Sequence, residues 1–128
     1  MNVLDEQPVL VQLSADELRY LAACGPALIQ EIPANSLPTY SCFDKSQITE
    51  FTERIRRIMD EGSLEPVKQS FSVQLRPDEL RYMVSCGFAL SANVSAKSFP
   101  MYCHFDADQA LDFSIRIRRL MDEHGLDM

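Results

Sequence analysis

The stretch Val9-Leu10-Val11-Gln12-Leu13-Ser14-Ala15-Asp16-Glu17-Leu18-Arg19-Tyr20 decides the fold, because the chain writes it again. It returns as Phe71-Ser72-Val73-Gln74-Leu75-Arg76-Pro77-Asp78-Glu79-Leu80-Arg81-Tyr82. Cys24-Gly25 returns as Cys86-Gly87, and Arg54-Ile55-Arg56-Arg57 as Arg116-Ile117-Arg118-Arg119. The shift is constant at about 62 positions without a gap, and roughly half of the aligned residues are identical. A unit of about 60 residues buries only a marginal core by itself. Two such units, residues 9–62 and 71–125, are therefore expected to share one core about a pseudo-two-fold axis, each covering the apolar face of the other. Residues 63–70, with Pro66, form the linker between them, too short to let the copies drift apart.

Each copy opens on alternating apolar residues, Val9, Val11 and Leu13 in the first and Phe71, Val73 and Leu75 in the second, the pattern of a half-buried strand. A helix start follows in both, in different chemistry. Ser14 and Glu17 make a capping box, whereas Pro77 takes a first helical position, where its missing N–H costs nothing. Leu18, Leu21, Ala22, Leu28, Ile29 and Ile32 recur at helical spacing, and Tyr20, Cys24 and Ala27 widen the stripe, so this helix is expected to be largely buried. Gly25-Pro26 is expected to kink or interrupt it, and Phe88 stands at the equivalent place in the second copy. Leu37 to Phe43 and Phe99 to Phe105 alternate and are read as a second, short strand. Asp44 and Asp106, each three residues before a Gln, then cap a second helix. Its stripe is Ile48, Phe51, Ile55, Ile58 and Met59 in one copy and Ala110, Phe113, Ile117, Leu120 and Met121 in the other, with Gly62 and Gly125 as stops. The expected fold is α+β and helix-rich: a tandem strand–helix–strand–helix duplication with pseudo-two-fold symmetry, forming one domain.

An apolar content of 46% and a charged content of 24% are those of an ordinary globular protein. The net charge of −7 argues against general affinity for nucleic acid or anionic membranes. No apolar run approaches a membrane span, and the first residues are acidic where a secretory signal would be basic. Four cysteines without a CxxC pairing read as reduced thiols, two of them in the core, in a cytoplasmic protein.

Three constellations carry chemistry. Tyr40-Ser41-Cys42-Phe43-Asp44 aligns with Tyr102-Cys103-His104-Phe105-Asp106, so Cys42 and His104 are equivalent and would meet near a two-fold axis. Thiolate and imidazole suit a zinc ion, or a nucleophile with its base, but neither the spacing nor a flanking oxyanion turn supports either reading. On this basis no metal or cofactor is expected. His124, at the end of the last helix, reads as a partner for the helix dipole. Arginine supplies nine of the twelve basic residues, and Arg54, Arg56, Arg57, Arg116, Arg118 and Arg119 would form one basic patch if the two second helices lay side by side. The simpler reading has these arginines pairing internally with Asp16, Glu17, Asp78 or Glu79. The four tyrosines fall in matched pairs, Tyr20 with Tyr82 and Tyr40 with Tyr102, and a buried hydroxyl is expected to find an Arg or Asp from the other copy.

No catalytic motif is present, so the chain reads as a small non-catalytic protein-interaction or regulatory module. Its expected partner is another protein or a second copy of itself, through surplus apolar helix surface. Ile115, where the first copy has Glu53, is one such contact. The alternative is a small-molecule or metal site between the copies, built from Tyr40, Cys42, Tyr102 and His104 with Arg56 and Arg118 at hand. A third class, nucleic-acid binding through the arginine turns, sits poorly with the acidic charge.

Overall fold

Val9–Leu13 (β1) and Phe71–Leu75 (β2) pair antiparallel, with Val11 opposite Val73 at the centre of the register. In this computed structural model, residues 8–62 and 70–127 are described. In both strands the odd-numbered apolar residues are buried and the intervening ones exposed, as the alternation requires. The rest is helical: α1 (Ala15–Glu31), α2 (Leu37–Ser41), α3 (Lys45–Gly62), α4 (Pro77–Asn93), α5 (Phe99–Cys103) and α6 (Ala107–Glu123). The fold is α+β and helix-rich, with a single two-stranded sheet among the described residues. The linker expected at 63–70 lies outside them except for Ser70.

The helix starts follow the sequence closely. Ser14 and Glu17 bond reciprocally at the head of α1, at 3.1 and 2.8 Å. Asp44 and Gln47 do so before α3, and Asp106 and Gln109 before α6. In α4, Pro77 holds the first turn while Glu79 Oε1 accepts the Arg76 N–H at 2.9 Å. Gly125, at φ +69°, follows α6 in the left-handed conformation that glycine adopts freely, and His124 is the C-cap.

Two expectations fail. Leu37 to Phe43 and Phe99 to Phe105 are not strands. Each contains a single helical turn, α2 or α5, with proline in its first turn, Pro38 or Pro100. Their buried residues are Leu37 with Ser41 and Phe99 with Cys103, four apart on one helix face, while Met101 is 83% exposed. Cys42 and His104 end these turns at φ 71°, their N–H groups bonded to the carbonyls of Pro38 and Pro100. Each unit is therefore strand–helix–short helix–helix. Nor does Gly25-Pro26 break α1, which runs unbroken with Pro26 on its exposed side.

α1 and α4 pack against each other at the centre, with α3 on α1 and α6 on α4. The short helices cross over, α2 onto α4 and α5 onto α1. One contiguous buried cluster draws on both halves. Tyr20 stacks on Phe105 at 4.6 Å between ring centroids, and Tyr82 on Phe43 at 4.8 Å. The central helices are tied to the outer helices of the opposite half by ion pairs that also cross: Glu17 of α1 with Arg116 of α6 at 2.5 Å and Glu79 of α4 with Arg54 of α3 at 2.6 Å. The second guanidinium nitrogen of Arg54 reaches the Gln74 carbonyl, and Arg116 Nη1 the Gln12 carbonyl at 3.2 Å. Gly25 and Gly87 permit close approach inside this core. A Cβ on Gly87 would collide with the Tyr20 hydroxyl, and one on Gly25 with Thr52 Oγ1.

Candidate functional site: an exposed apolar face

α6 buries Ala110, Phe113, Ser114, Ile117 and Met121 against α4, and the period of the helix then turns Leu111 and Ile115 outward. They are 43% and 40% exposed. Phe88, 51% exposed, stands on the outer side of α4, next to Gly87, which is buried. Leu10, on the outward face of β1, is 58% exposed. These four side chains border adjoining clefts. A groove of about 700 Å³ runs between Leu10 and Ile115, with Arg116, Arg119 and Leu120 along it. A cleft of about 150 Å³ lies between Ile115 and Phe88, edged by Val84, Arg118 and Arg119. A third, of about 190 Å³, lies between Phe88 and Leu111.

The matched positions in the opposite copy are polar or lack a large side chain. Ser72, Pro26, Thr49 and Glu53, all exposed, stand where Leu10, Phe88, Leu111 and Ile115 stand in the other copy. The core positions of the two halves are alike, so folding does not require this difference. An apolar face spread over a strand and two helices is a feature that soluble surfaces seldom carry without use.

Charges at its border are uncommitted. Arg116 is held by Glu17, but Arg118 and Arg119 form no ion pair or hydrogen bond among the described residues. Asp108 and Asp112, exposed on the N-terminal half of α6, have no such partner either.

The residues singled out by sequence do not assemble. Tyr40 is exposed on α2. Cys42 is exposed with its Sγ 3.5 Å from Ser85 Oγ on α4. Tyr102 donates to Glu31 Oε1 at 3.3 Å, and that carboxylate holds the Tyr102 phenol above its ordinary pKa. His104 is exposed beyond α5, on the α1 side of the molecule. Arg56 and Arg118 are exposed on α3 and α6, helices that do not pack side by side, so the six arginines do not form one patch. No hydrogen bond, ion pair or ring contact joins any two of Tyr40, Cys42, Arg56, Tyr102, His104 and Arg118. Among the described residues no three of His, Cys, Asp and Glu lie together as a metal ion would need. No described helix is long and apolar enough to cross a membrane.

No family model, curated protein or solved structure matches this chain.

Cys24, Cys86 and Cys103 are buried, one more than the two core thiols expected. Burial, with the neighbouring thiols, pushes the phenols of Tyr20 and Tyr82 well above their ordinary value, and burial does the same to the Cys24 thiol. Both tyrosine hydroxyls are buried without a hydrogen-bond partner, contrary to the expected Arg or Asp. The stacked rings, not the hydroxyls, hold these residues in place.

Of the apolar face, only Ile115 is flagged by reading the sequence alone. Comparing the copies position by position for an apolar residue facing a polar one also yields Leu111 against Thr49 and Leu10 against Ser72.

Proposed function

We propose that the chain is a non-catalytic protein-interaction module, acidic and acting inside the cell. On this reading it arose by tandem duplication of one unit packed about a pseudo-two-fold axis. Leu10 of the first copy, with Phe88, Leu111 and Ile115 of the second, is presented to a protein partner, while the matched positions Ser72, Pro26, Thr49 and Glu53 present no such face. The observation that carries this reading is the asymmetry: matched sequences, crossed matching contacts, and exposed apolar side chains that adjoin at Leu10, Phe88, Leu111 and Ile115 but not at the matched positions Ser72, Pro26, Thr49 and Glu53. The alternative site would need Cys42 and His104 to converge, whereas Cys42 lies against Ser85 of α4 and His104 caps α5, which packs on α1.

The test is site-specific photo-crosslinking in living cells, with a benzophenone amino acid at position 88 and, as control, at the matched position 26. The module reading expects protein adducts from position 88 that decline in a Leu111→Thr/Ile115→Glu background. That background places on α6 the residues α3 already carries. Equal adducts from both positions, or none from position 88, would overturn it.

A further inference from the structure

The open edge of β1 identifies what covers the face. We infer that an extended segment of another protein adds to this edge as a third strand, an inference that rests on the interaction reading above.

In a strand the N–H and C=O of one residue point to the same side, and successive residues alternate. The Gln12 carbonyl accepts from Arg116 of α6, and the next even-numbered residue, Ser14, gives its N–H to Glu17. Leu10 and Gln12 therefore turn their backbone groups away from β2, while Val9, Val11 and Leu13 exchange bonds with Leu75, Val73 and Phe71. No hydrogen bond among the described residues uses the Leu10 N–H, the Leu10 C=O or the Gln12 N–H. These three groups open onto the groove of about 700 Å³ that β1 and α6 line together.

Open backbone groups decide the form of the occupant. An apolar helix laid over Leu10 and Ile115 would bury three groups whose partners it cannot supply, because its own are spent within it. An extended segment pairs with them and sends alternate side chains onto the apolar floor. Its length fits. α6 lines the groove from Asp112 to Glu123, about 17 Å of helix, the span of about five residues of strand.

Charge sets its composition. Along the groove α6 presents Asp112, Arg116, Arg119 and Glu123, so net charge does not select the partner. Arg116 is held by Glu17, whereas Arg119 forms no ion pair among the described residues and stands between the two acids. The matching segment is apolar where it meets Leu10, Ile115 and Leu120 and carries one carboxylate for Arg119. β2 offers no equivalent, because Ser72 and Glu53 stand where this groove has Leu10 and Ile115.

The test is amide hydrogen exchange read by NMR on the full chain, with and without peptides selected on it from a phage-displayed library of random sequences. The inference expects peptide binding to slow exchange at the Leu10 and Gln12 amides about tenfold or more and to leave Ser72 and Gln74 unchanged. Ile115→Glu and Arg119→Glu, both at exposed positions, should each raise the dissociation constant about tenfold or more. Should either variant fail to fold, the exchange measurement on the wild type decides alone. Peptides that bind with Leu10 and Gln12 unprotected overturn the inference, as does a library that yields no binder. Protection that appears when the chain alone is concentrated puts a second copy on the edge and overturns it too. After any such failure, protein adducts at position 88 mean that the extended segment is wrong and the interaction reading stands. If position 88 captures nothing either, both fall.

Discussion

Replacing Glu79 by glutamine should destabilise the protein far more than the same change at Glu17, although the two occupy matched positions. Glu79 is only 4% exposed at its side chain, with Oε1 on the Arg76 N–H and Oε2 on Arg54 Nη1 at 2.6 Å. Glutamine keeps the first bond and turns an amide NH₂ toward the guanidinium, so two donors confront each other in a site poorly reached by water. Breaking a fully buried pair costs about 3–5 kcal/mol, but Arg54 is 35% exposed and recovers part of its hydration. The expected loss is therefore about 2–3 kcal/mol. Glu17 is 18% exposed and its partner Arg116 46%, so solvent screens that pair and Glu17→Gln should cost about 0.5–1 kcal/mol. At about 3–5 °C per kcal/mol for a chain of this length, the midpoints fall by roughly 6–15 °C and 1.5–5 °C respectively. Urea unfolding followed by helical circular dichroism measures both losses and shows whether the slope is unchanged. Losses within about 0.5 kcal/mol of each other would refute the reasoning that burial ranks these pairs.

Three further outcomes follow. Tyr20→Phe and Tyr82→Phe should be neutral, or stabilising by up to about 1 kcal/mol, because each removes a buried hydroxyl without a partner; chemical denaturation gives the sign. Those phenols and the Cys24 thiol keep their protons in the folded state at pH values where the unfolded chain has released them. The unfolded chain thus binds fewer protons, and stability should fall as pH rises above about 9, with part of the fall absent in the two Phe variants. Gly87→Ala should cost about 1–3 kcal/mol by driving a methyl group into the Tyr20 hydroxyl, and much less in a Tyr20→Phe background; a double-mutant cycle reads that coupling.

The strands, the four long helices and their caps were legible because alternation, helical period and Asp–Gln or Ser–Glu pairs are local signals. The turns at Leu37 and Phe99 were not. In a short apolar segment, the alternation Phe99, Met101, Cys103, Phe105 also contains the helical pair Phe99 and Cys103, and Pro100 at the first turn was the clue that favoured helix. The absence of bonds at Tyr20 and Tyr82 could not be read either, because it depends on which rings stack across the core. Phe88 escaped notice because the outer side of α4 is defined only once α1 and α6 are known to cover the others. Cys42 and His104 looked like partners by alignment, yet crossed packing sends the first to α4 and the second to the α1 side.

The central claim, that the face formed by Leu10, Phe88, Leu111 and Ile115 is a protein-binding surface, is tested most directly by native mass spectrometry of the untagged chain recovered from cells. The account predicts the 14.6 kDa chain carrying a second polypeptide, lost in the Leu111→Thr/Ile115→Glu variant. A bare chain at every concentration, or a bound metal or small molecule that departs when Cys42 or His104 is replaced, would contradict it.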